Sequence, residues 1–268
     1  MRLLPFLLWA CSCANFSPVT IAREMGTLGW FALDGSKKWQ PVDRSMSCAA
    51  LTPLVPEGEV LVLLPGVKGD GDEISALLPA LVRAKPAARL LYRWVPWDER
   101  EAITRGFATG IFQLLRCRPQ IDGRLLLVAH IAGGMVVSFG ATQIDVPKRE
   151  RTGPAAYLMT VASPLAGMND RKPNSDGHPE ARFMLDFGTR IAAYPPAPPE
   201  IAAVHLRTQN PGDQVMQPTP LHERNDPKIG IPGARQINLP ASLTHDGSLL
   251  YVAQRVADGT WREWFSRP

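Results

Sequence analysis

Residues 124–134 read RLLLVAHIAGG, from Arg124 to Gly134. Arg124–Ala129 is a short apolar run, the composition of a strand buried on both faces. Ala132–Thr142 follows with the pattern of an apolar helix. Only His130 and Ile131 separate the two, so the chain passes from strand to helix through a very sharp turn. In such a turn the strand and the helix come too close for large side chains two positions before and after the central residue. Ala129 and Gly133 occupy those positions, and the central residue is Ile131.

Outward from this junction the same alternation repeats. Glu59–Leu64 (EVLVLL) is a strand ended by Pro65-Gly66. Asp70, Asp72 and Glu73 then precede a helical pattern through Ile74, Leu77, Leu78 and Leu81, with acids placed to complement a helix N-terminus. Arg89–Val95 is a strand and Arg100–Leu115 a helix. Ala155–Ala162, Ala202–Thr208 and Ala234–Leu239 are further strands, and Asp246–Val256 is a closing helix. Trp30, Phe31 and Trp39 mark early strands or packing anchors. Strands alternating with helices predict an α/β fold with a mostly parallel central sheet flanked by helices. Leu165–Glu200 breaks the rhythm: it is polar, then proline-rich through Tyr194-Pro195-Pro196-Ala197-Pro198-Pro199. A long irregular segment inside a compact domain reads as a lid or cap, the alternative being a solvated loop.

The bulk numbers agree with one large domain over residues 14–268. The chain has 268 residues, 45% hydrophobic and 20% charged, with a net charge of +4. That supplies a sizeable core and excludes global disorder. The basic excess is spread along the chain, so it reads as solubility charge and no nucleic-acid partner is expected. Residues 1–13 look like an export leader. Arg2 precedes the short apolar stretch Leu3–Ala10, and Leu8-Trp9-Ala10-Cys11 resembles a bacterial lipoprotein processing site, with Cys13 as a competitor. The protein is therefore expected to be exported, either secreted or held at the cell envelope through a lipidated Cys11 or Cys13. Cys48 and Cys117 remain in the body, a pair that can close a disulfide in an oxidising compartment.

The loops after the strands carry the chemistry. Ala129-His130-Ile131-Ala132-Gly133-Gly134 resembles the nucleophile elbow of serine lipases and esterases, whose pattern is G-x-S-x-G, in everything but the serine. Leu64-Pro65-Gly66-Val67 resembles the oxyanion loop of that family. Thr160-Val161-Ala162-Ser163-Pro164-Leu165-Ala166-Gly167 resembles the strand end that follows the elbow. Gly212-Asp213-Gln214-Val215-Met216-Gln217-Pro218 looks like the loop of the catalytic acid, and Leu243-Thr244-His245-Asp246-Gly247-Ser248-Leu249 like the histidine loop. The order of nucleophile, acid and histidine is the one the α/β-hydrolase superfamily uses. The likeness runs from about Glu59 to about Val256.

The resemblance implies carboxylic-ester hydrolysis on a small-molecule ester or lipid. His245 would be the base and Asp213 the acid that holds its tautomer, with Asp226 the nearest substitute for the acid. The backbone N–H groups of Val67 and Ala132 would face the oxyanion. No cofactor is implied. The histidines 130, 178, 205, 222 and 245 show no H-E-x-x-H spacing, so no metal site is expected. The glycine-rich stretch Gly66–Asp72 lacks the GK[ST] ending of a phosphate loop, and its acids would repel phosphate.

Position 131 is where the chain departs from the family. Isoleucine has no atom that can attack a carbonyl, and losing a triad's nucleophile costs about 10⁶-fold in kcat. A β-branched residue also tolerates positive φ poorly, so the turn is expected to be destabilised or to relax to ordinary geometry. Three readings stand: a pseudoenzyme that binds a lipid, ester or protein partner; a hydrolase whose serine codon has changed by a single base; or a hydrolase using another nucleophile, Ser163 being nearest.

Overall fold

The computed structural model describes residues 29–33, 39–42, 47–66, 88–93, 100–165, 196–213 and 230–266. Among these residues one sheet of eight strands is formed, in the spatial order β2-β1-β4-β3-β5-β6-β7-β8. The strands are β1 (Gly29–Leu33), β2 (Trp39–Pro41), β3 (Val60–Leu64), β4 (Ala88–Arg93), β5 (Leu125–His130), β6 (Ala156–Val161), β7 (Ile201–Arg207) and β8 (Arg235–Asn238). β1 runs antiparallel to both β2 and β4, and every pair from β4 to β8 is parallel. The helices are α1 (Cys48–Leu51), α2 (Arg100–Cys117), α3 (Ala132–Ala141) and α4 (His245–Ala257).

β3 and β5 are buried along their whole length, which is why both read as unbroken apolar runs. Alternate residues face opposite layers. Val60, Val62, Leu64, Leu125, Leu127 and Ala129 pack in one core with Phe107 and Ile111 of α2 and Met135 and Val136 of α3. Leu61, Leu63, Leu126 and Val128 pack in the other, with Leu249, Val252 and Val256 of α4 and with Trp261 and Trp264. Parallel strands share a direction, so β3 to β8 release their C-terminal loops along one rim of the sheet, the place where open α/β sheets build their sites.

Strand and helix ends fall within two residues of the boundaries read from sequence wherever both are described. Trp30, Phe31 and Trp39 lie in strands β1 and β2. Cys48 at the start of α1 is disulfide-bonded to Cys117 at the end of α2, with Cα atoms 5.0 Å apart across a separation of 69 residues. The leader, Val67, the helix expected from Ile74, residues 94–95, Asp226 and residues 166–195 of the lid-like segment lie outside the described residues. No helix among the described residues is long and apolar enough to cross a membrane.

Candidate active site

The site is built where β5 ends. Ile131 caps α3 with φ 48° and ψ −121°. The turn has therefore not relaxed, which leaves the other arm of the expectation, a turn held at positive φ under strain. Its surroundings explain why. The Ile131 N–H donates to the Val161 carbonyl of β6 at 3.1 Å, and the Ile131 carbonyl accepts from Gly134 N–H at 3.1 Å. These bonds tie the turn to the end of β6 and to the first turn of α3. Gly133 adds a steric constraint: a Cβ there would stand 2.6 Å from the Pro65 carbonyl oxygen and closer still to that of Leu64, at the end of β3. Ala129 and Ala132 are fully buried. The sheet and the first turn of α3 thus press the elbow into shape, and residue 131 bears a strain of about 1–3 kcal/mol. The Ile131 side chain is partly buried and packs against the α2–α3 core.

His245 arrives from the other end of the chain as the first residue of α4. Thr244 fixes that start, its hydroxyl accepting from Gly247 N–H at 3.0 Å. The His245 Nδ1 lies 3.0 Å from each carboxylate oxygen of Asp213. Asp213 is 4% exposed and also accepts from the Thr208 hydroxyl at 2.5 Å. It hangs from a tight loop after β7, where Asn210 Oδ1 accepts from Gly212 N–H at 2.8 Å and Asp213 N–H donates to the Asn210 carbonyl at 3.0 Å. Asn-Pro-Gly is turn chemistry, and here it aims a carboxylate across the rim. The His130 ring, 3% exposed at the end of β5, sits 5.3 Å from the His245 ring between centroids, at a 40° tilt. That contact ties the histidine loop to the elbow.

The structure therefore brings His245, Asp213, His130 and the Ile131 elbow together. Ala132 opens α3, so its N–H belongs to the first-turn amides that have no partner within the helix. Val67 is outside the described residues. Ser163 does not join the group: it is fully buried, its hydroxyl donates to the Val161 carbonyl at 3.1 Å, and its side chain sits against Gly134. Among the described residues no cluster of three or more potential metal ligands occurs.

Three features escaped the sequence reading. Thr208 orients Asp213, and its place one residue past β7 is the only local signal. Ala162, the residue after β6, has φ 45°, the second positive-φ non-glycine besides Ile131 among the described residues. His205 on β7 is a core residue: its Nδ1 lies 2.7 Å from the Thr160 hydroxyl oxygen. Burial, and then the charge of Arg207, push its pKa down to about 3, so it is neutral.

With this geometry in hand, comparison with solved structures is decisive for the fold. The chain superposes on an esterase of the bacterial hormone-sensitive lipase family with a TM-score of 0.50 at 14% identity, covering 80% of each chain. The chain has the α/β-hydrolase fold. A lipase from Bacillus licheniformis gives a TM-score of 0.47 at 14% identity, over 89% of this chain and 98% of that one. Esterase LipW from Mycobacterium marinum gives 0.46 at 12% identity, over 93% and 86%. No protein-family profile and no curated protein sequence matches the chain. The Ile131 turn, Asp213 and His245 follow β5, β7 and β8 in that order.

Proposed function

We propose that this α/β-hydrolase fold carries an ester-hydrolase site of the serine lipase and esterase type, complete in its acid–base half and lacking its nucleophile. The observation that supports it is the pairing of His245 Nδ1 with both Asp213 oxygens at 3.0 Å, next to an elbow that keeps φ 48°. A carboxylate on Nδ1 holds the proton there, leaves Nε2 basic and stabilises the imidazolium that forms during acyl transfer. The amide of Ala132 is the local oxyanion donor in this reading. With Ile131 the chain binds a small-molecule ester or lipid and does not form an acyl-enzyme. A hydroxyl at that position would stand on an elbow already shaped for attack.

The test is ester hydrolysis and fluorophosphonate labelling of the purified chain beside its Ile131→Ser variant. Gain of turnover and labelling in the variant, with an inert parent, is the expected result. Labelling of the parent would identify a different nucleophile and overturn the assignment. Two folded but unreactive proteins would mean that the site has lost more than its serine, which would favour the non-catalytic binding protein as the reading.

We also propose that the protein is exported. The Cys48–Cys117 disulfide and the lipoprotein-like Leu8-Trp9-Ala10-Cys11 support this. Metabolic labelling with a radioactive fatty acid, in the parent and in Cys11→Ala and Cys13→Ala variants, tests the anchor. Absence of label in the parent would leave plain secretion or retention.

A further inference from the structure

We propose that the sheet carries a second binding site, at the opposite rim from His245 and Asp213, that takes an apolar carboxylate: the alkyl chain enters a cavity at the start of β7 and the charged end meets Arg235. The cavity follows from how the sheet is cut. β7 begins at Ile201, but its pairing with β8 begins only at Val204, opposite Arg235. β8 is entered through the turn Ile231-Pro232-Gly233-Ala234, closed by the Ala234 N–H donating to the Ile231 carbonyl at 2.9 Å, with Gly233 at φ 81°. Proline and then glycine at the central places, the glycine at positive φ, suit a type II turn. Ala202 and Ala203 thus border a cavity of about 320 Å³, whose other walls include Pro198, Trp264 and Phe265. That volume is at the lower end for small-molecule sites. β7 has 7 residues and spans about 20 Å at roughly 3.3 Å per residue, and Asp213 follows its far end, so the cavity is separate from the candidate active site.

Arg235 lines this cavity, and its unused edge points to the ligand. Its Nη1 donates to the carbonyls of Ser266 at 2.7 Å and Trp264 at 3.3 Å, which fixes the guanidinium beside the aromatic residues. Its Nε and Nη2 have no hydrogen-bond partner among the described residues. Those two nitrogens form the fork that meets a carboxylate with parallel bonds. The same edge is filled on two other arginines of the chain. Asp122 Oδ2 takes it on Arg151, at 3.1 and 2.9 Å, and Asn238 Oδ1 on Arg207, at 3.0 and 2.7 Å. None of the described residues lining the cavity is acidic, so the positive charge is left for a ligand. Apart from Arg235 the described walls are proline, alanine, valine, isoleucine, glycine and the two aromatic residues, which favours an alkyl chain over a polar body. An inorganic anion would satisfy the fork and leave those walls bare.

The experiment is calorimetric titration of the full chain with octanoate beside octanamide, and with hexanoate. Octanoate should bind about fivefold tighter than octanamide, the upper end for an exposed bidentate pair. That preference should shrink as salt is raised. Octanoate should also bind tighter than hexanoate, by up to about fourfold per methylene. Arg235→Gln should abolish the preference for the carboxylate. Arg235→Lys should keep part of it, since an ammonium retains the charge and loses the fork. Circular dichroism reports whether both variants fold; should Arg235→Gln fail to, the salt dependence of the parent decides, and a preference insensitive to salt overturns the proposal. His245→Phe should leave octanoate affinity unchanged, which separates this site from the candidate active site. Equal affinity for octanoate and octanamide, no gain with chain length, a preference that survives in folded Arg235→Gln, loss of octanoate binding in His245→Phe, or no binding at all would overturn it.

Discussion

Gly134→Ala and Ser163→Gly, alone and together, test whether the strand end after β6 serves the elbow by packing. A Cβ on Gly134 would stand 2.5 Å from the Ser163 Cβ and nearer still to its hydroxyl oxygen. Both groups are fully buried, so neither can swing into solvent. Overpacking of this kind costs about 1–3 kcal/mol, and a contact this short belongs at the upper end, so Gly134→Ala should lose about 3 kcal/mol. Ser163→Gly gives up one hydrogen bond to Val161, whose carbonyl still accepts from Ile131, and adds backbone freedom; together these cost about 1–2 kcal/mol. In the double variant the new methyl occupies the space the serine has left. The combined loss should therefore fall short of the sum by about 1–2 kcal/mol, within the range measured for residues in contact. Urea denaturation followed by tryptophan fluorescence reads all four proteins, with unchanged m-values required for the comparison. Strict additivity would refute the packing account, and would reopen Ser163 as a residue with some other task.

Acid should reveal the buried histidine. His205 has a folded pKa of about 3 against an ordinary 6.5, so the unfolded chain binds its proton more readily. Its contribution is intact above pH 6.5 and is lost as the pH falls from there towards 3, about 2–3 kcal/mol by pH 4.5; His205→Gln should flatten that slope in urea titrations, and an identical slope would sink the assignment. Removing the disulfide by paired Cys48→Ser and Cys117→Ser substitution releases a 69-residue separation, which chain entropy values at about 4 kcal/mol; a midpoint that does not move under reducing conditions would contradict it. In an active Ile131→Ser background, Asp213→Asn should lower kcat by a factor on the order of 10⁴ while leaving the fold intact, and Thr208→Val should lower it far less. A Thr208→Val loss equal to that of Asp213→Asn would mean that the threonine, and not the carboxylate, sets the imidazole's orientation.

The central sheet was legible because its strands are short apolar runs with turn chemistry at their ends. β3 and β5 are buried on both faces, and a strand in that position has few alternatives to Val, Leu and Ala. The elbow was legible through Ala129 and Gly133, whose smallness answers a close approach that the structure shows at the Leu64 and Pro65 carbonyls. His245 and Asp213 were found by their order along the chain, since nothing local distinguishes either from a surface residue. The geometry of residue 131 was not legible. Propensity argues that isoleucine should avoid positive φ, but the bonds to Val161 and from Gly134 outweigh that preference. Thr208 and His205 were missed for a related reason. Their partners lie across a loop or on the next strand, and a linear pattern does not show which side chains a parallel register sets level.

The elbow's dependence on its neighbours bears on how such a site changes over time. Its curvature is imposed from outside, by a glycine pressed on one strand and an amide bonded to another, so the residue at its apex acts as an interchangeable fitting in a rigid mount. Changing that residue alters the side chain on display and leaves the mount standing. The shape of the turn should therefore survive substitution at position 131 for as long as Gly133, Gly134 and the end of β6 keep their places.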